Sequence, residues 1–380
     1  MTEAAKQHGL ATLFLPEANV EQASLVDGIE IIGIHSLKDL YLHLKQEVKI
    51  TPYVVAPKKQ RLPPSNLPLL DDIHGQEQAK RALIIAAAGH HNILLAGSPG
   101  AGKTMLARTL TTLLPDLSSE EQIAITKLHS LAGEALNTVV GHRPFRAPHH
   151  TSSRIALIGG GTKPKPGEIS LAHHGVLFLD EIPEYPRSTL EALRQPLEDK
   201  TVAISRANGH VTYPADFMLV ATMNPCQCGF FGDSSRECTC ASMQVLAYQQ
   251  RLSGPLLDRI DMIVNVSRVP NSTLLEQNPM NKGQHITAAK KVNTATKIQR
   301  DRYKSSLKNN SNLTNQDIKK HIPLSPDVRK LLAIATDRLA LSARSYFKII
   351  KVARTIADLE GADAVTTQHV SEALQYRQST

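Results

Sequence analysis

Continuous apolar runs and helical periodicities divide most of the chain into predicted strands and helices. The segments N-I-L-L-A, V-L-F-L-D, F-M-L-V-A and M-I-V-N-V are typical of parallel strands that are buried on both faces. Helical patterns separate these runs, so residues 71–268 are predicted to form an α/β core around a parallel sheet. Residues 269–290 are polar and predict a loop. From about residue 291 the pattern is helical, as in P-D-V-R-K-L-L-A-I-A, which predicts a helical lid domain.

The N-terminal segment has a different pattern. Residues 1–50 mix short apolar runs, such as L-V-D-G-I-E-I-I-G-I-H, with a helix-like stretch that carries leucines at 37, 40, 42 and 44. This predicts a small α+β piece that is too short to bury a core alone. Residues 51–70 are rich in proline and predict a linker. The expected domains are therefore 1–50, a linker at 51–70, 71–268, and a linker with the lid at 269–380.

Composition adds little to this picture. With 41% hydrophobic and 21% charged residues, the 380-residue chain resembles an ordinary globular protein. It has neither the apolar run of a membrane span nor a signal peptide at its N-terminus, so we expect a cytoplasmic protein without a membrane partner. The formal net charge of +8 favours a polyanion such as nucleic acid. Because the excess charge is spread along the chain, this indication is weak.

A phosphate-binding motif follows the first apolar strand. The sequence G-S-P-G-A-G-K-T matches G-x-x-x-x-G-K-[ST] and precedes a helical pattern, which is the context that a Walker A loop requires. Its glycines let backbone N–H groups point at phosphate oxygens, the lysine adds positive charge, and the threonine hydroxyl is a ligand for Mg²⁺. A chance glycine-rich turn is the alternative. The predicted nucleotide-binding residues are Gly97, Ser98, Pro99, Gly100, Ala101, Gly102, Lys103 and Thr104.

A second acidic motif ends the next apolar strand, G-V-L-F-L-D-E. Asp180 stands at the carboxyl end of this strand, where open parallel sheets bind their ligands. We expect Asp180 to hold Mg²⁺ and Glu181 to polarise the attacking water. An exposed acidic pair at the end of a strand is the alternative. Together with the first motif, the pair indicates an ATP- and Mg²⁺-dependent phosphohydrolase.

These motifs resemble those of the AAA+ ATPase superfamily, and the resemblance implies further site residues. Asn224 in A-T-M-N-P resembles the sensor-1 residue, although an Asn-Pro turn reads the same way. Arg259 in G-P-L-L-D-R-I-D resembles the arginine finger that completes a neighbouring subunit's site, with a surface salt bridge as the alternative. Arg344 resembles the sensor-2 arginine, and Arg354 ranks second, with a solvated helix charge as its alternative. Ile73, His74 and Gly75 resemble the segment that contacts adenine, although a plain helix start would look similar.

Longer motifs narrow the resemblance. The segments G-H-R-P-F-R-A-P-H-H-T-S-S, N-P-C-Q-C-G and A-R-T-I-A-D-L-E-G resemble the magnesium-chelatase-like AAA+ ATPases of the competence-associated ComM/YifB type, over about residues 12–376. That resemblance implies a homohexameric ring on single-stranded or branched DNA, with branch migration during natural transformation. The family carries a complete Lon-protease-like domain before the ATPase, and residues 1–50 resemble only its end. We therefore expect either a fragment or a lineage that has lost the domain.

The candidate DNA contacts fall in three segments. They are a basic, histidine-rich stretch between the two nucleotide motifs, the sequence T-K-P-K-P-G, and a predicted β-hairpin at 200–213 with Asn208-Gly209 as its turn. Purely structural roles for the paired histidines and for the hairpin remain open. The residues are Arg143, Arg146, His149, His150, Lys163, Lys165, Arg206 and His210.

All four cysteines lie within fifteen residues, as C-x-C followed by a second C-x-C. In a cytoplasmic chain such clustering favours a metal over disulfides. Cys226, Cys228, Cys238 and Cys240 are therefore a candidate structural zinc site, with free thiols as the alternative.

Three other functions compete with a DNA motor. A chelatase-type ATPase would remodel a protein partner or drive metal insertion with the same machinery. An ATP-dependent protease is disfavoured, because residues 1–50 contain no plausible Ser–Lys dyad. A nucleotide-binding scaffold would not need Glu181, Asn224 and Arg259.

Overall fold

The computed structural model describes residues 1–54, 67–134, 139–161, 164–206, 209–233, 236–269 and 283–377. Two compact units divide the chain: Met1–Ser65 with Asp116–Arg143, and Asn66–Pro115 with Pro144–Thr380. Most of the predicted linker at 51–70 lies outside the described residues. No helix among those described is long and apolar enough to cross a membrane.

The smaller unit contains a short parallel sheet. Strands β1 (Thr12–Pro16) and β2 (Glu30–Ile34) pair with Leu13 opposite Ile31. Val20, Ala23 and Ile31 form its buried apolar cluster. The helices of this unit are Thr2–Gln7, Val20–Ala23, Leu37–Leu44 and Ser119–Ala132.

The leucine-rich helix of the smaller unit is confirmed, and it is exposed. It begins at Leu37, where the Ser36 hydroxyl accepts a hydrogen bond from the Asp39 backbone N–H at 3.2 Å, the usual N-terminal cap. None of its residues is buried, and Leu37 is 86% exposed. The periodicity therefore predicted the helix correctly. The helix itself adds no residue to the buried apolar cluster of this unit.

The larger unit is built on a five-stranded parallel sheet. Its strands are β3 (Ile93–Ala96), β4 (Phe145–Arg146), β7 (Val176–Leu179), β10 (Met218–Met223) and β11 (Met262–Asn265), in the spatial order β11-β3-β10-β7-β4. Every residue of β3, β7 and β10 is buried, as the apolar runs predicted. The predicted fold class, an α/β core with a parallel sheet followed by helices, is confirmed.

Helices cover this sheet and continue as far as Gln375. Those within the core are Glu77–Gly89, Lys103–Leu113, Arg154–Ile158, Glu168–Leu171, Arg187–Ala192, Arg194–Asp199, Ser242–Gln249 and Gly254–Leu257. The later helices are Gln284–Tyr303, Asn315–His321, Pro326–Arg338, Ala343–Leu359 and Thr367–Gln375. Short 3₁₀ turns lie at Glu17–Asn19, Leu70–Asp72, Ile182–Glu184 and Asn310–Asn312.

Two sequence-based expectations about these later helices are wrong. The polar segment 269–290 was expected to be a loop. Residues 270–282 lie outside the described part of the structure, but the long helix already begins at Gln284 and buries His285 and Ala288. A sparse apolar face is enough to hold this helix against the core, because few of its side chains are buried. Arg354 was expected to be either a sensor or a solvated charge. It is 2% exposed and donates to the buried Asp358 carboxylate at 2.8 Å, so it is a structural ion pair.

The predicted hairpin is present. Strands β8 (Thr201–Arg206) and β9 (Gly209–Pro214) pair antiparallel, from Thr201 opposite Pro214 to Arg206 opposite Gly209. Gly209 was expected in the turn and is instead the first residue of β9. A second antiparallel pair joins β5 (Gly159–Gly160) to β6 (Lys165–Pro166).

The outer edge of the main sheet meets the C-terminal segment. Strand β11 is one of the two edge strands, and the Ile263 N–H donates to the Tyr376 carbonyl at 2.8 Å. Tyr376 follows the helix Thr367–Gln375 and is 2% exposed.

Candidate functional site

Three polar segments meet at the carboxyl edge of the main sheet. The Walker A loop follows β3, Asp180 follows β7, and Asn224 follows β10. Because β10 pairs with both β3 and β7, with Ala96 opposite Met223, these segments are neighbours. The two nucleotide motifs and Asn224 therefore come together, as their positions at strand ends predicted.

The loop begins under a tight steric constraint. A Cβ at Gly97 would lie 2.1 Å from the Val266 carbonyl oxygen, so no larger residue fits beside the end of β11. Further along, the Arg268 guanidinium donates to the Pro99 carbonyl at 2.9 Å. Gly100 and Gly102 have φ angles of +79° and +87°, which glycine adopts at no steric cost. The loop is thus shaped by its glycines and by residues that follow β11.

Lys103 lies folded against its own loop. Its Nζ donates to the carbonyl oxygens of Gly97 at 2.5 Å and Ser98 at 3.0 Å, and to Asn224 Oδ1 at 3.0 Å. Burial lowers the pKa of Lys103, and the negative charges of Asp180 and Glu181 oppose that shift. A cation held only by neutral oxygens fits a site that receives phosphate.

Asp180 and Glu181 are held by hydroxyl and amide donors. Asp180 accepts a hydrogen bond from Thr222 Oγ1 at 2.5 Å, and Thr104 Oγ1 lies 3.5 Å from its other oxygen. Asn224 Nδ2 donates to Glu181 Oε1 at 3.2 Å. A threonine hydroxyl beside a carboxylate is an oxygen donor set that suits Mg²⁺. Thr222 was missed from the sequence, where only its position two residues before Asn224 pointed to it.

The predicted adenine segment approaches the Walker loop through the next residue. Ile73 is 5% exposed, and His74 and Gly75 are partly buried. Gln76 adopts a left-handed conformation at φ +58°, and its Nε2 donates to the Ala101 carbonyl at 3.5 Å. The segment that contains the three candidate residues therefore runs beside the nucleotide loop.

Arg259 and Arg344 meet at one carboxylate. Arg259 forms an ion pair with one oxygen of Glu198, and Arg344 donates to the other at 2.5 Å. Arg259 is also held by the carbonyls of Arg194 at 3.0 Å and Pro255 at 2.7 Å. Sequence reasoning missed Glu198, because an acidic residue on a short helix carries no distinctive signal.

These two arginines lie at the opposite edge of the sheet from Lys103. Asn92 immediately precedes β3, and its side chain donates to the Arg259 carbonyl at 3.2 Å. The Walker loop follows the carboxyl end of the same strand. Arg259 and its own nucleotide site are thus separated by the length of β3, which an arginine side chain does not span.

A cation-rich cavity of about 680 Å³ adjoins the two arginines. One wall contains an ion pair between Lys348 and Asp261 at 2.8 Å. Burial lowers the pKa of Lys348 to about 8, although Asp261 opposes that shift. The basic residues that line the cavity are Lys200, Arg259, Arg344, Lys348 and Lys351.

Two of the candidate DNA contacts form ion pairs within the fold. Arg143 pairs with Glu121 at 3.1 Å, and its side chain is 8% exposed. Arg146 donates to both oxygens of Glu168, at 2.6 and 2.8 Å. These pairings give both arginines a structural role.

The remaining candidates are more accessible. His149 is exposed, stacks on His150 with ring centroids 4.0 Å apart, and bonds Thr151 Oγ1 at 2.8 Å. Lys165 in β6 and His210 in β9 are exposed. Lys163 and the side chain of Arg206 lie outside the described part of the structure.

The four cysteines converge. Their sulfur atoms all lie within 4.8 Å of one another, and none is in a disulfide. Cys226 is fully buried, and the other three are partly exposed. Backbone N–H groups of Phe230 and Thr239 lower the pKa of the Cys228 thiol to about 5, whereas burial and the neighbouring cysteines raise the pKa values of Cys238 and Cys240.

Comparison with known proteins agrees with this architecture. The family described as magnesium chelatase, subunit ChlI, matches residues 69–274, and the model of its C-terminal region matches 284–377. Over 98% of its length the chain is 42% identical to the competence protein ComM of Haemophilus influenzae, and it covers 73% of that protein. It is 44% identical to the uncharacterised protein YifB of Salmonella typhimurium, over 81% of this chain and 60% of that one. A magnesium-chelatase 67 kDa subunit of Heliobacterium mobile is 28% identical over 42% of this chain and 28% of its own length.

Proposed function

This chain belongs to the magnesium-chelatase-like family of AAA+ ATPases, and from that premise we propose that it is an ATP-hydrolysing ring motor that binds and remodels DNA. Its activity would be helicase-like or branch-migrating, in natural transformation or recombination. We retain the assignment of residues 71–268 to the ATPase core and of 269–380 to a linker and lid.

ATP would bind along the Walker A loop, with Lys103 exchanging its present oxygen partners for the phosphates. Bound Mg²⁺ would neutralise phosphate charge, held by Thr104 and Asp180. Glu181 would accept a proton from the attacking water, and Asn224, which already donates to Glu181, would orient that carboxylate. Thr222 would keep Asp180 in position through its 2.5 Å bond.

The observation that carries the ring is the location of Arg259 and Arg344. Both lie at the sheet edge opposite the chain's own nucleotide loop. An arginine that stabilises the charge developing during phosphoryl transfer must touch the phosphates. Each chain would therefore serve its neighbour, and such head-to-tail contacts close into rings. We propose a homohexamer, as the family resemblance implies.

DNA is the proposed partner on three grounds. The net charge of +8 favours a polyanion, the hairpin β8–β9 carries the exposed His210, and a similar protein is named for competence. Among the candidate contacts, His149, Lys165 and His210 are better supported than Arg143 and Arg146, which pair with acids of the fold. A cytoplasmic location remains a prediction.

A chelatase-type ATPase is the second candidate, because the matching family model is that of a magnesium-chelatase subunit. The relative identities favour the first candidate: 42% to the competence protein over nearly the whole chain, against 28% to the chelatase subunit over less than half.

The deciding experiment measures ATP hydrolysis by the purified chain with no DNA, with single-stranded DNA and with branched DNA. Lys103→Ala and Glu181→Gln serve as inactive references. Turnover that rises with DNA and disappears in both variants supports the DNA motor. Turnover that DNA does not change would refute the DNA partner and leave the chelatase-type alternative. Nucleotide binding without turnover under all conditions would indicate a scaffold.

A further inference from the structure

We propose that the four cysteines hold one zinc ion and that the zinc-bound loop supports the phosphate-binding loop of the ATPase. The metal site stands on its own geometry. Its link to nucleotide binding rests on the proposed ATPase function.

The arrangement of the sulfur atoms fits a single tetrahedral ion. Tetrahedral zinc with Zn–S bonds of about 2.3 Å requires sulfur atoms roughly 3.8 Å apart. Cys226 Sγ lies 3.3 Å from Cys228 Sγ and 3.7 Å from Cys238 Sγ, and Cys228 Sγ lies 3.5 Å from Cys238 Sγ. Cys240 completes the set within 4.8 Å. The four donors are thus already at about the spacing that one ion would impose.

Sulfur atoms of this cluster accept hydrogen bonds from backbone N–H groups. The Phe231 N–H donates to Cys226 Sγ at 3.3 Å, and the Cys228 N–H donates to Cys240 Sγ at 3.4 Å. Four thiolates without a metal would repel one another strongly at this distance. Soft thiolate ligands in tetrahedral geometry select zinc, and four protein ligands leave no open position for catalysis. The ion would therefore be structural.

The cysteine segment packs against the Walker A loop at one glycine. Gly229 has φ +86°, and a Cβ there would lie 2.5 Å from Pro99 Cγ and 2.6 Å from Pro99 Cδ. The segment thus contacts the nucleotide loop at a point where even a methyl group is excluded.

A second link runs through Arg268. Its guanidinium donates to the Pro99 carbonyl at 2.9 Å, lies 5.5 Å from the centre of the Phe230 ring, and lies 3.8 Å from Asp233 Oδ2. Phe230 and Asp233 both follow Cys228. One arginine therefore bridges the cysteine segment and the carbonyl of Pro99.

Asn224 is coupled to the same segment along the chain. It stands two residues before Cys226, and Gln249 Nε2 holds the intervening Pro225 carbonyl at 3.2 Å. Asn224 is thus flanked by β10 on one side and by a zinc ligand on the other. Loss of zinc would loosen both Pro99 and Asn224, which lie on two sides of the nucleotide site.

The first measurement is the metal content of the purified full chain after dialysis, by mass spectrometry of the elements. We expect about one zinc per chain, falling to roughly a tenth or less in the double variant Cys228→Ser, Cys238→Ser. Replacement of zinc by cobalt should give the visible absorption of a tetrahedral thiolate complex. Absence of zinc in the parent, or iron in its place, would overturn the zinc assignment.

The second measurement separates support of the loop from metal binding. Gly229→Ala leaves all four thiols intact and inserts a methyl group against Pro99. Gly232→Ala is its matched control, because Gly232 also has a positive φ of +75° but a Cβ there meets nothing within 4 Å among the described residues. We expect both to retain zinc. Gly229→Ala should weaken binding of a fluorescent ATP analogue by about tenfold, the scale of modest overpacking, and Gly232→Ala by less than about threefold.

Equal affinities in the two glycine variants would overturn the support of the nucleotide loop while leaving the metal site standing. Zinc removal by a chelator should weaken nucleotide binding, and added zinc should restore it; unchanged binding by the metal-free parent would also refute the link. A parent that contains zinc but binds no nucleotide would refute the proposed ATPase, and the coupling would fall with it. A parent that binds nucleotide without responding to DNA would refute only the DNA motor.

Discussion

Mixing two inactive variants should restore ATP hydrolysis. Lys103→Ala removes the phosphate-binding cation from a chain's own site, and Arg259→Ala removes the cation proposed to serve the neighbouring site. Because the two residues lie at opposite edges of the sheet, each defect affects a different interface of the ring. A site between an Arg259→Ala chain that supplies Lys103 and a Lys103→Ala chain that supplies Arg259 is complete.

The expected loss of turnover follows from the distance between Arg259 and the chain's own nucleotide site. From Asn92, beside Arg259, to Gly97, at the start of the Walker loop, β3 advances five residues, which is about 16 Å in an extended strand. A cation this far away cannot touch its own ATP, so loss of Arg259 should cost the neighbouring site about 10³-fold in turnover. In a 1:1 mixture each site has about an even chance of either chain on each side, so about a quarter of the sites should be complete.

The assay is steady-state phosphate release at saturating ATP by chains mixed before assembly, with the ring verified by light scattering. Arg338→Ala is the matched control, because Arg338 is exposed on the helix Pro326–Arg338. That variant should retain parental turnover, and mixing it with Lys103→Ala should follow simple dilution.

Two results would refute the reasoning. If Arg259→Ala alone hydrolyses ATP at more than about a tenth of the parental rate, Arg259 is not the arginine finger. If the mixed ring forms and hydrolyses no faster than its two components, the cation does not act on a neighbouring site.

Glu181→Gln should keep ATP binding but lose at least about 10²-fold in turnover, because the amide cannot accept a proton. Titration with a fluorescent nucleotide measures binding, and phosphate release measures turnover. Unchanged turnover would show that Glu181 has no catalytic role. Arg354→Met should lower the free energy of unfolding by about 3 kcal/mol, since the buried Asp358 loses a partner; urea denaturation measures this, and a loss below about 1 kcal/mol would contradict it. Burial lowers the pKa of His285 below 6.5, so near that pH its imidazole binds protons more readily in the unfolded chain than in the folded one. The contribution of His285 to the free energy of unfolding therefore declines as the pH falls through 6.5. Lowering the pH from about 7.5 to 5.5 should therefore lower the thermal unfolding temperature of the parent more than that of His285→Gln. Equal decreases in the two unfolding temperatures would contradict the burial argument.

Much of the nucleotide site could be predicted because its residues follow strands. An apolar run buried on both faces identifies a central parallel strand, and neighbouring parallel strands end at the same sheet edge. Lys103, Asp180 and Asn224 each follow such a strand or the loop after it. In the structure Lys103 Nζ lies 3.0 Å from Asn224 Oδ1, Thr104 Oγ1 lies 3.5 Å from Asp180, and Asn224 donates to Glu181.

The opposite edge of the sheet was not predictable in the same way. Glu198 pairs with Arg344, and Lys348 pairs with Asp261. In each pair the two residues lie far apart in the chain, so the pairing depends on tertiary packing that no local pattern encodes. Arg354 shows the same difficulty, because a charge on a helix is normally solvated and only the structure shows its buried partner. The helix Gln284–Tyr303 was predicted to begin only at about residue 291, since its first residues carry too few apolar side chains to stand out from their polar surroundings.

The hydrogen bond between Ile263 and Tyr376 protects an otherwise open strand. An unpaired edge strand invites pairing with other chains and aggregation, and the Tyr376 carbonyl occupies one of the outward-facing donors of β11. A chain shortened before Tyr376 would uncover that edge, and Val266, the residue directly after β11, abuts Gly97 through its carbonyl. Such a chain should become prone to self-association and lose affinity for nucleotide together, even though the removed residues lie more than 270 positions from the Walker loop.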